Sequence, residues 1–95
     1  MMPKDELDMA VSIAKKYRIG ELYLIGSVLY KSPEEVNDYD FAVRGVPKGK
    51  FFKFYGELLR AMVKNVDLID LSGKKTKFKG IILKEGRLIY AKSKA

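Results

Sequence analysis

The chain contains no cysteine and no histidine. Without thiols it forms no disulfide, no thiolate zinc site and no cysteine nucleophile, and without imidazole it lacks the commonest general base and metal ligand. Glutamine and tryptophan are also missing, and asparagine occurs only at Asn37 and Asn65. No apolar run approaches the roughly 20 residues needed to cross a bilayer, and Met1 to Lys4 begins no charged-then-apolar targeting pattern. These absences leave carboxylates, hydroxyls and amines to carry any chemistry. They predict a soluble cytoplasmic protein that is not a membrane partner.

Lysine is abundant instead. The 19 basic residues against 12 acidic ones give a formal net charge of +7, which attracts phosphate on a nucleotide, a nucleic acid or an anionic surface. Many lysines with so few amides and no thiols resemble the composition of heat-adapted proteins, so a melting midpoint above the ordinary mesophile range is expected. With 95 residues, 47% of them apolar, the chain suffices for one core and is too short for two, which predicts a single domain over 1–95.

Periodicity then gives an order of elements. Leu7, Ala10, Val11, Ala14 and Tyr17 recur at helical spacing within Lys4–Arg18, with acids early and bases late, and the helix is expected to stop near Gly20. Glu21–Ile25 reads as a buried strand running into a Gly26-Ser27 turn, and Tyr30–Asn37 as a loop. A strand over Asp40–Arg44 and a turn over Gly45–Gly49 lead to an apolar-rich helix from about Lys50 to Lys64. Val66–Leu71 reads as a third strand, Thr76–Lys84 is ambiguous, and Arg87–Ala91 reads as a last strand. Helix and strand alternate, which points to an α/β chain.

Three segments put polar groups beside predicted strands: Leu22-Tyr-Leu-Ile-Gly-Ser27, Asn37-Asp-Tyr-Asp-Phe-Ala-Val43 and Val66-Asp-Leu-Ile-Asp-Leu71. The period of two along a strand sends Asp38 and Asp40 to one side, where they can close on hard cations. Two carboxylates that close repel unless a cation neutralises them. Gly26 lets backbone approach a ligand, and exposed amides with the Ser27 hydroxyl suit phosphate oxygens. In the third strand, alternation separates Asp67 from Asp70, so only one joins the cluster and the other is solvated or caps the turn at Ser72-Gly73.

Taken together, these segments resemble a minimal nucleotidyltransferase of the DNA polymerase beta-like superfamily, whose signature is h-G-S, a spacer, D-x-D and a later acid on a strand. The likeness runs from Glu21 to Tyr90 and implies a mixed sheet of about four strands with helices packed mainly on one face. It implies metal ligation and catalysis by Asp38, Asp40 and, from the V-D-L-I match, Asp67 in preference to Asp70. Two Mg2+ ions and ATP or another nucleoside triphosphate are the implied cofactor and substrate, with Gly26 and Ser27 at the triphosphate. The family often follows G-S with an arginine- and glycine-containing stretch, whereas Val28-Leu-Tyr-Lys31 offers one lysine; Lys31 is therefore the remaining candidate cation, without the forked geometry of arginine.

The reaction so implied is attack of a substrate hydroxyl on the α-phosphorus, transferring AMP from ATP. By the same likeness, small members pair with a HEPN-type helical protein as antitoxins, some by adenylylating it. The missing arginine motivates an alternative, a catalytically degenerate antitoxin that binds and covers its partner. Lys74, Lys75, Lys77 and Lys79 around Phe78 motivate a third reading, nucleic-acid binding, against which a solvated basic surface is favoured. Phe51, Phe52, Phe54 and Tyr55 sweep too wide an arc for one small core, so Phe52 or Phe54 is expected to face a partner or the core's edge.

Overall fold

The computed structural model describes residues 2–92. Along them run α1 (Lys4–Lys16), β1 (Glu21–Ile25), β2 (Asp38–Arg44), α2 (Phe51–Ala61), β3 (Asn65–Asp70), α3 (Lys77–Glu85) and β4 (Arg87–Ala91), with short 3-10 turns at Gly26–Leu29 and Pro33–Glu35. The strands form one mixed sheet in the order β3-β2-β1-β4. β1 lies antiparallel to both β2 and β4, whereas β2 and β3 are parallel. A parallel pair needs a crossover of a dozen or more residues, and α2 with its flanking turns supplies it.

One face of the sheet carries the main core. Leu22, Leu24, Tyr39, Phe41, Val43 and Val66 project from the strands against Ala10, Ile13 and Ala14 of α1 and Phe54 and Leu58 of α2. On the other face, Tyr23, Ala42 and Leu71 pack with Ile82 of α3 in a smaller cluster. Helices thus lie mainly on one face, as expected, with α3 covering part of the other. The ambiguity over Thr76–Lys84 resolves as a helix whose first turn is capped by Thr76 Oγ1, which accepts from the Lys79 N–H at 3.1 Å.

Two helices end earlier than their periodicity suggests. α1 stops at Lys16 because Tyr17 and Ile19 close back on the carbonyls of Ile13 and Ala14 while Arg18 adopts a left-handed φ of 56°. Gly20 does not itself end the helix; a Cβ there would lie 2.8 Å from the Arg44 carbonyl, so the glycine admits the neighbouring strand end. α2 stops at Ala61, and the Val63 N–H donates to Glu6 Oε2 at 2.9 Å rather than to a preceding carbonyl. Phe54 is fully buried, which removes it as a partner-facing residue, whereas Phe52 is 82% exposed. Among the described residues no helix is long and apolar enough to cross a membrane.

Candidate active site on the face shared with α3

β2 begins two residues earlier than expected, at Asp38, so both aspartates of the D-Y-D segment lie on the strand itself. Alternation then points Tyr39, Phe41 and Val43 into the main core and leaves Asp38 and Asp40 on the opposite face with Ala42. The parallel register sets Asp40 beside Asp67, and Asp67 shares its parity with Ile69 and Leu71 of that second face. Asp70 falls on the other parity, where its carboxylate caps the turn by accepting from the Ser72 N–H at 2.9 Å and the Ser72 hydroxyl at 2.6 Å.

Asp40 is the electrostatic centre of this group. Burial first, then the charge of Asp67 and a hydrogen bond with it, then the charge of Asp38, hold its carboxyl above the usual carboxylate range. Gly26 closes the other side: at a φ of 80° it follows β1, and a Cβ there would lie 2.5 Å from Asp40 Oδ2. Glycine is therefore required twice over, by conformation and by the carboxylate it touches. Ser27 is exposed beside it, and the Ser27 carbonyl accepts from the backbone N–H groups of Tyr30 and Lys31 in the 3-10 turn. The structure thus brings Asp40, Asp67 and Gly26 into contact, with Asp38 close enough to be felt, and sets Ser27 and Lys31 on the adjoining turn.

Two supporting residues, Lys64 and Glu6, lie outside the three motif segments. Lys64 Nζ donates to the carbonyls of Pro33 and Val36, tying down the segment that delivers Asp38. Behind the strand, the Tyr39 hydroxyl donates to the buried Glu6 at 2.6 Å, anchoring the residue between the two aspartates to α1. Glu6 was legible in principle, because it lies on the same helical stripe as the buried Ala10 and Ile13. The lysine-rich stretch around the start of α3 is partly engaged in its own fold: Lys79 Nζ, on the helix, donates to the carbonyls of Ser72 and Lys74.

Over residues 8–95 the sequence matches the family described as polymerase beta, nucleotidyltransferase. The chain belongs to that family. This nucleotidyltransferase fold is also found in solved structures. A crystal structure from Shewanella oneidensis aligns over 96% of this chain and 74% of its own with 19% identity and a TM-score of 0.71. A toxin-antitoxin crystal structure with AMP-PNP aligns over 90% and 73%, with 19% identity and a TM-score of 0.72. A tri-AMPylated Shewanella oneidensis HEPN toxin in complex with MNT antitoxin aligns over 96% and 74%, with 18% identity and a TM-score of 0.70. No curated protein matches the sequence.

The donor set of the nucleotidyltransferase fits a hard divalent cation. Asp40 and Asp67 are oxygen donors in contact, and every influence that sets the Asp40 carboxyl disfavours its ionised form. Among the described residues no three acidic side chains are gathered tightly enough to cage an ion unaided. The Asp40–Asp67 pair alone offers the one or two carboxylates with which a hard cation can be held while other oxygen ligands complete its shell.

A raised carboxyl pKa has a definite linkage consequence. The stability Asp40 contributes is full below the ordinary carboxylate range and is lost as pH rises through its raised value, so its ionised form opposes folding. Magnesium or manganese is therefore expected to raise Tm at pH above the Asp40 titration, by an amount that shrinks as pH falls through it. Asp40→Asn should melt above wild type without metal and gain nothing from it. Equal metal responses in the two proteins, measured by calorimetry, would take the carboxylate pair out of metal binding.

Proposed function

We propose that this nucleotidyltransferase transfers AMP from ATP to a hydroxyl of a HEPN-type protein partner, as the antitoxin of a pair. The observation that carries the reading is the contact of Asp40 with both Asp67 and Gly26, three residues brought together from three chain segments. The partner and the adenylyl group are suggested by the tri-AMPylated HEPN toxin bound to an MNT antitoxin, a structure of the same fold. A nucleoside triphosphate substrate is suggested by the AMP-PNP complex.

Asp38, Asp40 and Asp67 would hold magnesium, which when bound neutralises charge on the phosphates and on the attacking and leaving oxygens. Gly26 and Ser27 would bind the triphosphate through exposed amides and a hydroxyl, and Lys31 would add a cation from the same turn. Asp67, exposed on its strand, would accept the proton of the acceptor hydroxyl. A bond forms from that oxygen to the α-phosphorus, the bond from the α-phosphorus to its bridging oxygen breaks, and pyrophosphate leaves.

Calorimetric titration of Mg-ATP into wild type, Asp38→Asn and Asp40→Asn tests the site. Binding by wild type that needs metal and is lost in both variants is the expected result; metal-independent binding, equal in all three, would refute the assignment. One observation favours a second reading, a degenerate fold that neutralises its partner by coverage: the turn from Gly26 to Lys31 has no arginine. On that reading, wild type shows no ATP binding and neutralisation survives Asp40→Asn.

A further inference from the structure

On the same face of the sheet as the carboxylates, a cavity of about 190 Å³ opens between the Gly26 turn and α3. Its walls are largely apolar, with Ile69 on the sheet, Phe78 and Ile81 on α3, Tyr30 at the turn and Glu85 as the charged group. Ile69 stands two residues beyond Asp67 on the same side of β3, and Gly26 belongs to both places, lining the cavity and touching Asp40. The cavity and the acidic group are therefore two ends of one surface.

Three of its lining residues are left in water: Tyr30 is 77%, Phe78 61% and Ile81 55% exposed. Large apolar groups gathered around a concave opening next to a polar site are the usual composition of a ligand seat. Its volume falls below the roughly 300–1,000 Å³ of pockets that enclose whole drug-sized ligands, so it suits one part of a molecule whose remainder lies outside. That part is not phosphate, because the one charged side chain in the lining is an anion. A flat heterocycle fits instead: aromatic and aliphatic walls pack on its faces, and the Glu85 carboxylate accepts from N–H groups on its edge.

We propose that the cleft between the Gly26 turn and α3 seats the nucleobase of the nucleoside triphosphate, whose phosphates extend past Gly26 to Asp40 and Asp67. This rests on the nucleotide-transfer reading above, and it names the part of the chain that would select the base. It also gives a role to Phe78, whose lysine-flanked position suggested nucleic acid from sequence.

The test compares two ligands that differ only in whether they carry a nucleoside. Mg-ATP and Mg-tripolyphosphate are titrated into wild type and into Phe78→Ala/Ile81→Ser, both changes lying at exposed positions. The double variant is expected to bind Mg-ATP about tenfold more weakly or worse, the scale of a lost aromatic stack on a base, and to bind tripolyphosphate as wild type does. Unchanged ATP affinity in the variant, or an equal loss for both ligands, would overturn the base seat and leave the nucleotide site standing; a protein partner lying on this patch would give that first result. Binding of neither ligand by wild type would overturn both readings together.

Discussion

Asp67→Asn is expected to bind Mg-ATP nearly as wild type does and to transfer nucleotide roughly 10²- to 10⁴-fold more slowly, the range a general base contributes. The substitution keeps the shape of the side chain and removes its charge and basicity. Because β2 and β3 are parallel with Asp40 opposite Asp67, the loss falls on the group nearest the half-buried Asp40 carboxylate, while Asp38 and Asp40 are unchanged. Asp70→Asn is the internal control. Its carboxylate lies on the other parity and serves Ser72, so transfer should stay within about twofold of wild type, given that surface changes of this kind move stability by less than roughly 0.5 kcal/mol. Transfer by Asp67→Asn at the wild-type rate, measured with α-labelled ATP, would show that the third acid is wrongly assigned.

The second large effect lies behind the site. Glu6 is only 7% exposed, and its two oxygens accept from the Tyr39 hydroxyl at 2.6 Å and the Val63 N–H at 2.9 Å. Burial, and then the hydrogen bond to Glu6, hold the Tyr39 hydroxyl far above the usual phenol range, so it donates at every ordinary pH. Glu6→Ala leaves both donors without a partner and opens a small void, a loss of about 3 kcal/mol. In a domain of this size that lowers Tm by more than about 10 °C. Glu6→Gln retains an acceptor for Val63 and a polar group for Tyr39, and should recover much of the loss. A Tm for Glu6→Ala within about 2 °C of wild type would mean that water replaces the carboxylate freely.

The two effects belong to one piece of architecture. Tyr39 points into the core between two aspartates that point out of it, so whatever fixes the tyrosine fixes the strand that presents them. α2 carries the chain across the core face and returns it as β3 beside β2, which is how a residue 27 positions later comes to face Asp40. Electrostatic cost accompanies this arrangement: the fold holds like charges together on a half-buried surface although the protein as a whole is strongly basic. Strain of this kind is expected where a cationic ligand completes the site.

Much of this was legible from residue order because strand alternation is strict. A period of two is enough to separate Asp67 from Asp70 and to pair Asp38 with Asp40, and the glycine after β1 marks the turn without further information. The succession of strands along the chain followed from short apolar runs bounded by turn residues, with β1 and β4 at their expected bounds and β2 and β3 one or two residues off. Helix ends were less legible. α2 reads as continuing to Lys64, since nothing local reveals that Glu6, 57 residues earlier, captures the Val63 N–H. The segment from Thr76 to Lys84 has a weak pattern because the face it covers is small, and Gly80 lies within it; its helical state depends on the Thr76 cap and on Ile82 meeting Tyr23 and Ala42. Phe52 and Phe54 could not be told apart by composition, since helical phase alone decides which is buried. The reach of Lys64 to Pro33 and Val36 is a tertiary contact with no sequence mark at all.

One measurement reaches the proposed activity directly: incubation of the protein with α-labelled ATP, magnesium and a HEPN-type partner, followed by mass spectrometry of the partner. The predicted result is a covalent AMP on a partner hydroxyl, formed only with metal and abolished by Asp40→Asn. A partner that stays unmodified while the wild-type protein and Asp40→Asn neutralise it equally well would contradict nucleotide transfer and leave a binding protein in its place.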